Sequence, residues 1–184
     1  MNEGIGIRLS GRGGQGIILA GILLAEAALR DGLNVVQTQV YGPESRGGAS
    51  KAEVIVSRGP ISYPKVVRPD VLLVMSQAAV DRYAGTLKEE GLLVVDTTYV
   101  HSVPAVKGRV VERPISGVAR DRLGREIVAS TVAAGLLVGL TGVVGVESLR
   151  DAVKARVPGG TLDLNLKALE AGFELAETSG RSGS

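Results

Sequence analysis

Short apolar runs alternate along the chain with longer segments that carry helical spacing, and turn residues separate them. Residues 5–10 (IGIRLS) are predicted to form a strand, and residues 17–30 (IILAGILLAEAALR) a helix that is apolar on most of its surface and therefore buried. A turn at Asp31 and Gly32 leads into a second strand over residues 33–40. The three elements form a βαβ unit, whose crossover should be right-handed.

The middle of the chain continues this alternation. Further strands are predicted at 50–57, 71–75, 92–96 and 109–113, and a helix at 77–87. The first of these strands alternates in polarity and should be half-buried, whereas the next two are continuously apolar, as strands covered on both faces are. The pattern predicts an α/β fold: a Rossmann-like, mostly parallel sheet with helices on both faces.

The last third changes to helical spacing. Helices are predicted at 125–140, 146–157 and 161–177. Five apolar residues of the last helix share one face: Leu162, Leu166, Leu169, Phe173 and Ala176. We expect a single domain over residues 1–177 with this helical end, and a disordered tail over residues 178–184, which are small and polar.

Residues 127–146 contain no charged side chain, and this stretch is about as long as a membrane-spanning helix. Gly135 and Gly139 also have the spacing at which helices approach closely. A buried core helix or subunit-interface helix is the better interpretation, because Ser130 and Thr141 interrupt the stretch and its surroundings follow a soluble α/β pattern. No membrane association is expected.

Composition narrows the possible chemistry. The chain has no cysteine, which excludes disulfides, thiolate zinc sites and cysteine-bound iron–sulfur clusters, and a lone histidine, His101, cannot build a multi-histidine metal site. Lys and Arg are scattered and the net charge is only +2, so no nucleic-acid surface is predicted. The first residues lack a signal-peptide pattern, which favours a cytoplasmic location. The mean hydropathy of +0.23 suggests an interface with a partner.

A glycine-rich loop follows the first strand and opens the first helix, which is the context that a G-x-G-x-x-G motif requires. Its residues are Gly11, Arg12, Gly13, Gly14, Gln15 and Gly16. Glycines let backbone N–H groups approach a phosphate, the helix N-terminus adds a favourable dipole, and Arg12 and Gln15 offer further donors. We predict an anion or nucleotide contact, with a purely structural turn as the alternative.

A nicotinamide site needs more than this loop. An acidic residue should follow about 20 positions on, to bind the ribose, yet the second strand ends in Gln37, Thr38 and Gln39. Asp31 lies before that strand, in the turn. NAD binding is therefore disfavoured, while an NADP-like site stays open, and the missing G-K-[ST] ending argues against nucleotide hydrolysis.

A second loop, YGPESRGG, covers residues 41–48 and is expected beside the first at the carboxyl edge of the sheet, where ligands bind in such folds. Its candidate contact residues are Tyr41, Arg46, Gly47 and Gly48. Arg46 can fork onto a phosphate or carboxylate. The equally weighted alternative is a structural turn in which Arg46 pairs with Glu44.

Together the two loops resemble a known family. The segments GRGGQGIILAGILLAEAALRDG and TQVYGPESRGGASKAEVIVS closely resemble the gamma subunit of 2-oxoacid:ferredoxin oxidoreductases, and RPDVLLVMSQAAVDRY and GLLVVD extend the match. The 2-oxoglutarate enzyme is the nearest sub-family, with the pyruvate and branched-chain 2-oxoacid enzymes behind it. A similar domain in the indolepyruvate oxidoreductase beta subunit is the closest alternative within this class.

The resemblance implies a non-catalytic subunit of a cytoplasmic hetero-oligomer. Such enzymes decarboxylate a 2-oxoacid oxidatively, form an acyl-CoA and reduce ferredoxin. Thiamine diphosphate would lie between the alpha and beta subunits, and iron–sulfur clusters on the beta or a ferredoxin-like delta subunit. This chain would help to hold coenzyme A through the two glycine loops, with Arg12 and Arg46 on its phosphates and Lys51 as a helper. A stand-alone NAD(P)-binding oxidoreductase and a scaffold module with a structural glycine loop are the competing hypotheses.

Overall fold

A computed structural model describes residues 4–40 and 49–178. Its strands are β1 Ile5–Gly11, β2 Asn34–Val40, β3 Ser50–Ser57, β4 Val71–Val74, β5 Leu92–Asp96 and β6 Arg109–Arg113. Its helices are α1 Ile17–Arg30, α2 Gln77–Tyr83, α3 Ile115–Asp121, α4 Ala129–Thr141, α5 Val146–Arg156 and α6 Leu162–Glu177. The predicted α/β fold with a helical final third is confirmed.

The six strands form one sheet in the order β2-β3-β1-β4-β5-β6. β1, β4, β5 and β6 are parallel neighbours, whereas β3 runs antiparallel to both β1 and β2. The sheet is therefore mostly parallel, as predicted. The first βαβ unit is not a pair of adjacent strands, however, because β3 is inserted between β1 and β2.

The two faces of the sheet are covered unequally. One face carries the main core, in which Ile7 and Leu9 of β1 pack with side chains of α1, α4, α5 and α6. The other face is covered by α2, whose Ala79 and Val80 pack on Leu72 of β4 and other apolar side chains of β4 and β5. Helices lie on both faces, and the strands β4 and β5 are continuously apolar because both of their faces are buried.

Helix α4 is buried from Ala129 to Val138 and packs closely against α6. A Cβ atom at Gly172 would lie 2.7 Å from the backbone N of Leu136 and against the carbonyl O of Val132, and one at Gly135 would meet the carbonyl O of Leu169. The glycines of α4 thus serve close helix packing, as predicted. Among the helices of the described residues, none is long and apolar enough to cross a membrane.

Some predicted boundaries and faces were wrong. In place of one helix over 77–87, an α-helix ends at Tyr83 and a 3-10 helix, Ala84–Thr86, follows it. The helix expected from 125 begins with a 3-10 turn, Glu126–Val128. The short helix α3 was not predicted. The strand at 50–57 is mostly buried rather than half-buried, because it lies inside the sheet with strands on both sides.

The buried face of α6 is also rotated from the predicted one. Leu169 is fully buried, but Leu162 and Phe173 are only partly so, and Asn165 and Gly172 lie at the centre of the contact with α4. Thr131 of α4 donates a hydrogen bond to Asn165 Oδ1 over 2.7 Å, so a polar pair stands where an apolar one was expected. The proposed domain limits stay a prediction, and residues 179–184 lie outside the described ones.

Candidate functional site

The glycine loop lies where β1 ends and α1 begins, at the carboxyl edge of the parallel strands. Gly14 and Gly16 have left-handed backbones, with φ of 86° and 72°. Gly16 caps α1, and among the described residues no side chain accepts a hydrogen bond from the first N–H groups of the helix. These groups normally need a partner, and together with the helix dipole they favour an anion. The loop has the geometry that the sequence motif predicted.

Gln15 holds this loop in place from the inside. Its side chain is buried, its Oε1 accepts a hydrogen bond from the backbone N of Arg12 over 2.6 Å, and its Nε2 donates to the carbonyl O of Met75 over 2.9 Å. Met75 directly follows β4, so Gln15 ties the loop to the next strand. Because both ends of the amide are bonded within the protein, a direct ligand contact by Gln15 stays a prediction.

Arg12 is exposed, and its guanidinium carbon lies 4.3 Å from the ring centroid of Tyr99. In the part of the chain that the structure describes, no carboxylate lies within ion-pair distance of Arg12. Tyr99 Oη in turn donates a hydrogen bond to Glu126 over 2.6 Å. This bond to a carboxylate, followed by burial, raises the pKa of the Tyr99 phenol above its ordinary value, so the hydroxyl remains a donor. A cation without a carboxylate partner among the described residues therefore borders the glycine loop.

Asp96 shapes the neighbouring part of this edge. It ends β5 and is fully buried, and its carboxylate accepts hydrogen bonds from the backbone N–H groups of Thr98 and Ser116 over 3.1 and 3.2 Å. It thereby fixes both the segment that carries Tyr99 and the start of α3. Neither Asp96 nor Tyr99 had a predicted role, although an acidic residue at the end of a buried parallel strand was an available signal for Asp96.

The second loop lies outside the described residues, and with it Tyr41, Glu44, Arg46, Gly47 and Gly48. The residues at its two ends are described. Val40 pairs with Lys51, and Ser50 pairs with Gly11 of the glycine loop. Ser50 Oγ also donates a hydrogen bond to the carbonyl O of Gly11 over 3.0 Å. Both ends of the segment 41–48 thus lie at the edge that carries the glycine loop.

Lys51 is engaged within the sheet. Its Nζ lies 3.1 Å from Glu53 Oε1, which also accepts a hydrogen bond from Arg8 over 2.8 Å. The side chains of Arg8 and Glu53 are only 6% and 8% exposed, so this is a buried ion pair with Lys51 at its rim. The helper role of Lys51 stays a prediction. Over residues 4–40 and 49–178, no group of three or more His, Cys, Asp or Glu side chains could hold a metal ion.

Comparison with known proteins gives a consistent result. The family model described as pyruvate ferredoxin/flavodoxin oxidoreductase matches residues 6–175. The chain is 47% identical to the 2-oxoglutarate synthase subunit KorC of Methanocaldococcus jannaschii, over 93% of each chain. Its structure matches that of a keto/oxoacid ferredoxin oxidoreductase gamma subunit from Geobacter sulfurreducens, with a TM-score of 0.87, 47% identity, and coverage of 95% of this chain and 99% of that one.

A more distant match shows the same fold inside a longer chain. It is the 2-oxoglutarate:ferredoxin oxidoreductase of Magnetococcus marinus, whose structure holds 2-oxoglutarate, coenzyme A and succinyl-CoA. The TM-score is 0.86 at 22% identity, and the match covers 97% of this chain but 32% of that one. At this identity the likeness concerns the fold.

Proposed function

The chain belongs to the pyruvate ferredoxin/flavodoxin oxidoreductase family, and we propose that it is the gamma subunit of an enzyme that converts 2-oxoglutarate, coenzyme A and oxidised ferredoxin to succinyl-CoA, carbon dioxide and reduced ferredoxin. The observation that carries this proposal is the near-complete match, at 47% identity, to a 2-oxoglutarate synthase subunit. Relatives named for ketoisovalerate and pyruvate enzymes are 33–37% identical, below the 47–48% of three 2-oxoglutarate synthase subunits and close to the 36% of a fourth.

In this proposal the redox chemistry belongs to partner subunits. The chain has no cysteine to ligate an iron–sulfur cluster. Thiamine diphosphate would be held between alpha and beta subunits, and the clusters by the beta or a ferredoxin-like delta subunit. Anaerobic isolation of the tagged chain from its native host, followed by mass spectrometry, should recover those subunits. A chain that elutes alone as a soluble monomer would contradict the proposal.

The contribution of this chain would be a contact with the phosphates of coenzyme A. Three features support it: an exposed Arg12 with no carboxylate partner among the described residues, a helix start whose first N–H groups have no side-chain acceptor among them either, and the dipole of α1. The second loop would add Tyr41, Arg46, Gly47 and Gly48, since the described residues on either side of it lie at this edge. The carbonyl and acid groups of the 2-oxoacid would be handled by other subunits.

Replacing Arg12 with Ala in the assembled enzyme tests the contact. A lost charge-assisted hydrogen bond of about 1.5–3 kcal/mol corresponds to a rise of about 10- to 150-fold in the apparent KM for coenzyme A. Pantetheine, a thiol acceptor without the phosphates, should show no such difference between the variant and the wild type. Arg58→Ala is the matched control, because Arg58 is exposed and follows β3 at the opposite edge of the sheet. An unchanged KM for coenzyme A would remove Arg12 from the site.

The sheet order disfavours the nicotinamide alternative. In a dinucleotide fold the ribose acid ends the strand next to β1, but here β3 occupies that place and β2 lies one strand further out. Asp31, which lies in the turn before β2, accepts hydrogen bonds from Gly145 N and Ser148 Oγ at the far end of α1. It therefore joins α1 to α5 and is not available to a ligand at the glycine loop.

A further inference from the structure

Arg12 lies over the ring of Tyr99. The two residues follow different strands: Arg12 comes directly after β1, and Tyr99 lies three residues beyond the end of β5. The guanidinium carbon stands 4.3 Å from the ring centroid, within the range of a cation–π contact. In the described parts of the chain, this ring is what Arg12 contacts in place of a carboxylate.

The ring itself is fixed from two sides. Its hydroxyl donates to Glu126 over 2.6 Å, which ties it to the segment before α4. The backbone N of Tyr99 donates a hydrogen bond to the carbonyl O of Asp96 over 3.2 Å, and Asp96 is buried. Glu126 also lies 4.0 Å from Arg120, so its carboxylate faces both the Tyr99 hydroxyl and the Arg120 guanidinium. Tyr99 is thus a firm platform rather than a freely rotating side chain.

We propose that Tyr99 is a positioning residue that holds Arg12 beside the glycine loop for the phosphates of coenzyme A; this inference rests on the function proposed above. A guanidinium carries five N–H donors, so a contact with one aromatic ring leaves donors for a phosphate. An Arg side chain that is already ordered loses less rotamer entropy when the ligand binds. Glu126 acts one step further out, by holding the ring.

The test uses the assembled enzyme and coenzyme A itself. Tyr99→Leu should raise the apparent KM for coenzyme A about two- to five-fold, which is what an exposed cation–π contact is worth. The KM for pantetheine, which carries no phosphate, should not change. Tyr99→Phe keeps the ring and should stay within about two-fold of the wild type. Tyr63→Leu is the matched control, since Tyr63 is 59% exposed on the segment between β3 and β4, away from the glycine loop.

A double variant separates positioning from direct contact. If Tyr99 acts through Arg12, then Tyr99→Leu should add nothing to the KM once Arg12 is Ala. A further rise in the Arg12→Ala background would mean that Tyr99 contacts the ligand itself, and would overturn the proposal. A defect in Tyr99→Phe as large as in Tyr99→Leu would overturn it too, because the hydroxyl and not the stack would then matter.

The failure of this inference is distinguishable from failure of the proposed function. If Arg12→Ala raises the KM and Tyr99→Leu does not, the phosphate contact stands and only the positioning role is lost. If Arg12→Ala has no effect on the KM for coenzyme A, both the phosphate contact of Arg12 and the positioning role of Tyr99 are lost. Should Tyr99→Leu prevent assembly, Tyr99→Met replaces it, because Met keeps much of the apolar volume but has no aromatic face. Its KM for coenzyme A should rise about two- to five-fold; a wild-type KM in Tyr99→Met would overturn the proposal.

Discussion

Gly16 meets two constraints that no other residue type satisfies together. Its backbone is left-handed, with φ of 72°, and an added Cβ would lie 2.7 Å from Ser130 Oγ. A side chain in this conformation is strained, and the contact with α4 leaves no room for it. The glycine of the motif is therefore required for the fold, whatever the loop binds.

Gly16→Ala should accordingly lower the free energy of unfolding by about 1–3 kcal/mol, from backbone strain and overpacking together. Urea denaturation of the purified chain measures the effect. Gly13→Ala is the matched control in the same loop, because a Cβ there meets no atom within 4 Å and its φ is not positive. Its effect should stay within about 0.5 kcal/mol. Equal stabilities of the two variants would show that the Ser130 contact is not tight.

At the scale of elements, α4 and α6 approach closely because glycines face backbone across the contact. In Gly172→Ala, the new methyl group would lie against Val132 O and 2.7 Å from Leu136 N, neither of which is a flexible side chain. We expect a loss of about 1–3 kcal/mol in unfolding free energy, which outweighs the better helix propensity of Ala. Gly160→Ala, just before α6, meets no atom within 4 Å and serves as the control in the same melts. A Gly172→Ala chain as stable as the control would contradict this close approach.

A carboxylate links α1 to α5. Glu26 accepts hydrogen bonds from Arg30 of its own helix and from Arg156 of α5, and these bonds lower the pKa of Glu26 below its ordinary value. A carboxyl whose pKa is lowered on folding contributes stability above its unfolded pKa, and this stability is lost as the pH falls through the folded one.

Glu26→Gln should therefore cost about 0.5–1 kcal/mol at pH 7, and the difference from the wild type should vanish in acid, below the lowered pKa. Thermal melts measure it in steps from neutral pH down to about pH 2, well below the ordinary pKa of a Glu side chain, about 4.3. Glu89→Gln is the control, because Glu89 pairs with Lys107 while 63% exposed and should have little effect at either pH. A difference that persists in acid would assign the loss to packing instead of charge.

The elements themselves were largely predictable, because burial on one or both faces leaves a direct record in the spacing of apolar residues. β4 and β5 are examples: their continuous apolar runs follow from helices and loops on both sides. The placement of β3 between β1 and β2 was not predictable, since strand order depends on pairing between residues distant in sequence, such as Gly11 with Ser50. Tyr99 was missed for the same reason, because only the fold brings the end of β5 beside the glycine loop.

At the scale of the whole molecule, the same fold occurs as nearly all of the Geobacter sulfurreducens gamma subunit and as 32% of the Magnetococcus marinus chain. A domain that is found both as a chain and as part of a longer one must keep its own core, and here two apolar clusters on the two sheet faces supply it. What such a domain offers to its surroundings is then its edges and loops. Over the described residues, the glycine-loop edge is where helix N–H groups without a side-chain acceptor lie beside a cation without a carboxylate partner.

The sheet order also predicts what this edge will not bind. With β3 inserted, the end of β2 lies about 10 Å from β1, two strand spacings away, and it carries Gln39 and Val40 where a ribose acid would stand. Titration of the purified chain into NADH and into NADPH should therefore give no saturable change in nicotinamide fluorescence. A nicotinamide dehydrogenase, titrated under the same conditions as a positive control, should give a saturable change. The absence of an acid alone would still admit NADPH, whose phosphate an arginine can hold. Saturable binding of NADPH that is abolished in Arg12→Ala would mean that the loop selects a nucleotide phosphate in its own right, and the coenzyme A contact would have to be reassigned.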